Sequence, residues 1–221
     1  MDRAYLKSLA KEQIKGKIGI LFVITLVISA LSGLATAILS VIPAVGPLIA
    51  AVVVAPAFAL SIARIYLGLT QGKEPELKDT FSGFDDFFSA FKVTLLVALY
   101  TFLWSLLFVI PGIVKSFSYS MSLYILAENK GMSAKECIER SKQMTDGHKM
   151  DLFVLMLSFI GWAFVGAITL GIAYIWITPY MQTTLVNAYN SLKPVAAEPV
   201  AETDAAEETP VVNEIPSPDA E

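Results

Sequence analysis

Six long apolar runs occur along the chain, at 18–42, 48–69, 93–110, 113–128, 152–170 and 172–189, joined in pairs by short uncharged turns and parted between pairs by charged segments. At 1.5 Å per residue, about 18 to 20 such residues cross a hydrocarbon layer of ~30 Å. The pattern predicts an all-α polytopic membrane helix bundle, with six transmembrane helices paired as three hairpins. Polar positions between the runs predict surface helices. In 2–17, Leu6, Leu9, Ala10 and Ile14 share a face opposite Arg3, Lys7, Lys11 and Lys15, giving a basic amphipathic helix. Such a helix suits an anionic membrane surface, or serves only as a topology signal. In 72–92, Phe81, Phe84, Phe87, Phe88 and Phe91 predict a second surface helix, half-sunk in the headgroup layer. In 131–148, Ser133 and Glu136 read as a capping box and Gly147 as a stop, with Cys137, Ile138, Ser141 and Met144 inward.

Surface helix, lysine (Lys17, Lys92, Lys149), span, turn and span thus recur three times, a loose triplication. The turns fall at Pro43–Pro47, Pro111-Gly112 and Gly171. Pro56 and Pro179 lie within spans, where each frees a backbone carbonyl and calls for a kink or a local partner. Ser29, Gly33 and Ala37 form a small-residue stripe suited to close helix approach. Residues 194–221 hold five prolines, eight carboxylates and no aromatics, which predicts a disordered acidic tail. The organisation expected is a basic N-terminal helix (1–17), a membrane domain (18–193) and the tail (194–221).

Composition strengthens this reading. Hydrophobic residues make up 55% of the chain and charged ones 16%, with mean hydropathy +0.63. The net charge of −4 comes from the tail, since residues 1–193 carry 16 basic and 12 acidic groups, a balance of +4. Placing both termini in the cytoplasm leaves Lys115 as the one basic residue on the outer side, which satisfies the positive-inside rule. An apolar run as long as 18–42 predicts an uncleaved first span. A single cysteine and a single histidine exclude an internal disulfide and a Cys/His zinc site.

The candidate chemistry is sparse. No HExxH is present, and the spans offer no internal Asp, Glu or His as base or ligand. The expectation is a non-enzyme without catalytic, metal or cofactor residues, without cofactor, and with no nucleic-acid partner. The lack of titratable groups also disfavours a proton-coupled transporter. Lys115, with Ser116 and Tyr119, is a candidate contact for an anionic lipid or solute; the plainer reading is a lysine snorkelling to the interface. Tyr180, Thr183, Thr184 and Asn187, with Gln182 beside them, form a polar face that either lines a cavity or joins helices at ~0.6 kcal/mol per bond. The serines at 116, 118, 120 and 122 are expected to bond their own backbone or neighbouring helices. Cys137 reads as a small buried hydrophobe.

Three strings, FLWSLLFVIPGIVKSFSYSMSLYILAEN, SAKECIERSKQMTDGHKMDLFVLMLSFIGW and TLGIAYIWITPYMQTT, resemble the bacterial membrane proteins grouped as domain of unknown function 975. The resemblance covers residues 93–190 closely and the first 90 in pattern. It implies a multi-pass protein of the bacterial cytoplasmic membrane and supplies no catalytic residues. A looser similarity of layout to the membrane domain of some glycerophosphodiester phosphodiesterases points toward lipid or envelope work. Two functions remain. One is a non-enzymatic lipid-binding or envelope-associated membrane protein, whose partners are the bilayer, anionic lipid, or a second membrane protein or copy. The other is an uncoupled facilitator, or a transporter subunit, for a small or lipidic solute.

Overall fold

The computed structural model describes residues 2–42 and 45–193, which form helices and their connections with no strand among them. In order these are α1 (Arg3–Ile14), α2 (Ile18–Leu39), α3 (Val45–Ile49), a π-helical turn (Ala50–Val54), α4 (Ala55–Thr70) and a 3-10 turn (Leu77–Phe81). There follow α5 (Phe87–Leu107), α6 (Val109–Tyr119), α7 (Ser122–Glu128), α8 (Ala134–Thr145), α9 (Lys149–Leu157), α10 (Ile160–Ile168) and α11 (Tyr174–Leu192). The tail expected at 194–221 lies outside the described residues, as do Pro43 and Ala44 of the first turn.

Four stretches are long and apolar enough to cross a membrane: Ile18–Leu39, Val52–Thr70, Phe87–Leu107 and Lys149–Ile168. Val52–Thr70 is the most buried of them and packs against α5, α7 and α11. The other three leave Leu34, Phe102, Leu106 and Phe164 exposed. In water each such side chain costs about 1.5–3 kcal/mol relative to burial, a penalty that a hydrocarbon surround removes.

Four such helices stand where the apolar runs predict six. The run 113–128 is not one span but α6 and α7, 11 and 7 residues long, parted at Ser120-Met121. The run 172–189 is an unbroken 19-residue helix, α11, whose polar residues keep it out of the apolar class and which is buried behind its neighbours. The hairpin joint also moves. The chain turns at Phe108, which is extended (φ −156°, ψ 141°), and Pro111 sits in the first turn of α6, where its missing N–H leaves no gap. Gly112 lets the two helices close, because a Cβ there would lie 2.2 Å from Ser105 Oγ.

The phenylalanine-rich segment forms no surface helix. Gly83 presses on α4, its N–H donating to Ser61 Oγ at 2.9 Å, and a Cβ would sit 2.0 Å from the Ala57 carbonyl. Arg64 donates to the Ser82 carbonyl and pairs with Asp86, and Phe84 meets Phe58 edge-on at 5.2 Å. These long-range contacts hold a turn where local spacing favours a helix, so the triplication fails in its second unit. Arg64 thus has Asp86 as its partner.

Other expectations hold only in part: the Glu136 carboxylate pairs with Arg140 instead of closing a capping box, and the small-residue stripe of α2 meets no close cover. The π-helical turn lies just before Pro56 and takes up the gap its missing N–H leaves in the ladder. The α8 N-cap Ser133 accepts from the Glu136 N–H at 3.2 Å, and Gly147 has φ +77°. Cys137, Ile138 and Ser141 are buried and Met144 is half-buried. The Ser29, Gly33, Ala37 stripe stays exposed. Helix α1, capped by Asp2, does not lie free: it buries Leu6, Ala10 and Ile14 and packs mainly on α11.

Candidate functional site

Lys115, Ser116 and Tyr119 lie on α6, but their side chains do not converge. Helical side chains lean toward the N-terminus, and Lys115 Nζ reaches back to lie 4.8 Å from the centre of the Trp104 ring on α5. The partner is an uncharged aromatic face, a cation–π contact. Ser116 donates to its own helix at the Ile113 carbonyl, 2.7 Å. Tyr119 is buried, 4% exposed, against Tyr100 at 6.1 Å between rings. All three are thereby engaged within the protein.

The polar face of α11 is divided among neighbours. Tyr180 packs edge-on against Phe159 at 5.3 Å. Gln182 Oε1 accepts a long bond from the Tyr124 hydroxyl, 3.4 Å. Thr184 donates to the Tyr180 carbonyl at 2.7 Å, and Asn187 Nδ2 donates to Gln13 Oε1 at 2.8 Å. Thr183 is fully buried, and its hydroxyl has no hydrogen-bond partner among the described residues. This face joins helices. Beside Gln182 lie a space of about 30 Å³ shared with Thr25 and Tyr66 and one of about 200 Å³ shared with Tyr124 and Ser120.

The charged contacts gather where α1, α4, α7 and α11 end. Glu128 accepts from the Tyr189 hydroxyl at 2.7 Å and pairs with Lys193. Asn190 donates to Thr70 at 3.2 Å, and Lys17 pairs with Glu74 at 2.8 Å. A cavity of about 880 Å³ opens here, lined by Asp2, Glu128, Arg140, Asp146, His148 and Lys193. Its basic side chains have carboxylate partners: Arg140 with Glu136 at 3.0 Å, His148 with Asp151 at 3.3 Å, and Lys193 with Glu128. Lys149 holds the Asp146 carboxyl below its usual range by hydrogen bond and charge. No group of three or more metal-ligating side chains occurs among the described residues.

Two cations stand apart. Lys7 Nζ lies 4.6 Å from the centre of the Phe159 ring, and Lys11 Nζ 5.6 Å from that of Tyr180. Neither these ring contacts nor that of Lys115 is visible in sequence spacing, because every partner comes from another helix. Between α2 and α11 lies a groove of about 160 Å³, lined by Phe22, Thr25, Leu26, Ser29, Tyr174 and Pro179.

An all-helical chain with four membrane-length apolar helices and a charged end defines a membrane-type helix bundle. The chain belongs to the family described as a protein of unknown function, DUF975, which matches residues 1–118 and 106–196. Neither curated proteins nor solved structures gave a match.

Proposed function

We propose that the chain is a non-enzymatic, multi-pass protein of a bacterial cytoplasmic membrane that binds anionic lipid. In this reading α6–α7 and α11 complete six passes under cover of the four apolar helices, with the charged end and both termini in the cytoplasm. The observation that carries it is the groove between α2 and α11, lined mainly by apolar side chains such as Phe22, Leu26 and Pro179. The roomy cavities of about 880 and 640 Å³ are lined by the charged end, whereas the space of about 30 Å³ beside Gln182 is near the size of one water molecule. A facilitator is the second reading, favoured by Gln182 lining two separate spaces. Purification in mild detergent followed by lipid mass spectrometry should find enriched anionic phospholipid, and proteoliposomes should show no solute flux above protein-free vesicles. Flux that Gln182→Leu abolishes would establish the facilitator instead.

A further inference from the structure

We infer that Lys7 and Lys11 form a discrete site for a phosphate anion at the junction of α1, α9–α10 and α11, with Phe159 and Tyr180 as its floor. The site rests on the lipid-binding reading and names its contact. The two ammoniums are one helical turn apart and repel each other. Among the described residues neither has a carboxylate within ion-pair distance, whereas Arg140, His148 and Lys193 nearby are all paired. Each lies over an aromatic ring at 4.6 and 5.6 Å, and the two rings are themselves in edge-to-face contact at 5.3 Å. Phe159 and Tyr180 are buried, so the floor is fixed. Two lysines already held over a rigid floor lose less freedom on meeting an anion than two in free solvent. An anion seated between them also relieves their mutual repulsion. Partial burial and the charge of Lys11 already lower the Lys7 pKa, so a negative neighbour is missing there rather than superfluous.

The structure thereby divides a stripe that is uniform in sequence. Arg3, Lys7, Lys11 and Lys15 advance by four, but only the middle two lie over rings; Lys7 is half-buried, and Arg3, Lys11 and Lys15 are exposed. The shared chemistry is a phosphate ester, carried by a phospholipid headgroup or by a small soluble molecule.

Two double variants with the same loss of charge test this: Lys7→Gln with Lys11→Gln, and Arg3→Gln with Lys15→Gln. Binding is read by native mass spectrometry and thermal shift of the full-length protein in neutral detergent. The titrants are short-chain phosphatidylglycerol, phosphatidylcholine and glycerol 3-phosphate. The inner pair of substitutions should weaken phosphatidylglycerol at least about tenfold more than the outer pair, because generic surface attraction weights all four cations alike. The double variant Lys7→Arg with Lys11→Arg should retain binding, which separates loss of the site from loss of the fold. Glycerol 3-phosphate binding with the same dependence would support the site and identify a free ester as its source; phosphatidylglycerol alone would identify lipid. Equal losses in the two pairs would overturn the site while leaving lipid binding intact. A wild-type protein with no preference for phosphatidylglycerol over phosphatidylcholine, and none for the soluble ester, would overturn both.

Discussion

Two of the apolar runs break in mid-course, and they are braced in opposite ways. Between α6 and α7 the brace comes from elsewhere in the chain. Ser141 of α8 donates to the Ser118 carbonyl at 2.8 Å and accepts from the Met121 N–H at 3.2 Å, so one hydroxyl serves both sides of the break. Thr145 adds bonds to the Ser141 and Ser118 carbonyls at 2.8 and 3.4 Å. Between α9 and α10 the break closes on itself. The Ser158 N–H donates to the Val154 carbonyl at 3.0 Å and the Phe159 N–H to that of Met156 at 2.9 Å, while the Ser158 hydroxyl turns to Leu155. A helix can break away from water only where the freed groups find partners. When the partner is another helix, the break becomes a fixed joint between elements; when it is local, the bend is independent of its surroundings.

The sharpest way to break this contrast is Ser141→Ala. It strips partners from two buried backbone groups and should cost about 2 kcal/mol, read as a fall in thermal unfolding temperature in detergent. Thr145→Val, removing a secondary brace, should cost about 1 kcal/mol. Ser158→Ala should stay within about 0.5 kcal/mol of wild type. Equal effects of the Ser141 and Ser158 substitutions would erase the distinction. The lone thiol sharpens it further. Cys137 sits one turn before Ser141 with 0% exposure, and burial pushes its pKa up from 9.0 to about 11. It stays neutral and slow to alkylate at pH 8, and Ser141→Ala should speed its labelling, whereas Ser158→Ala should not. Because the folded state holds the thiol's proton more tightly, this stability is present at lower pH and is lost as pH rises from about 9 through about 11. Cys137→Ala should flatten that part of the pH–stability curve, the smallest of these effects.

The same contrast marks where the sequence is transparent. Features set by neighbours in the chain are legible: the Ser133 cap, the Gly147 stop, the accommodation of Pro56, and the inward face of α8. Features set by distant partners are not. Phe81, Phe84, Phe87, Phe88 and Phe91 fit a helical face, yet Gly83 and Ser61, 22 positions apart, decide the conformation. The breaks at Phe108, Ser120-Met121 and Ser158-Phe159 lie inside unbroken apolar runs, and hydropathy carries no sign of them. Of the candidate site residues, Lys115 stands out by charge alone, but nothing in its surroundings names Trp104 as its partner. The polar face of α11 is legible as a face; its division among Gln13, Tyr124 and the helix's own backbone is not.

The bond from Asn187 to Gln13 spans 174 positions, and that separation is also an interval of time. At about 5–20 residues per second, α1 leaves the ribosome roughly 10 to 35 s before the helix that covers its apolar face. Throughout that interval Leu6, Ala10 and Ile14 have no α11 to pack on. The headgroup layer is the natural waiting place for a basic amphipathic helix. Its apolar face, open in the nascent chain, is covered in the finished bundle, while Arg3, Lys11 and Lys15 stay exposed. Chains stalled before residue 174 should cross-link from α1 to lipid, and released chains from α1 to α11.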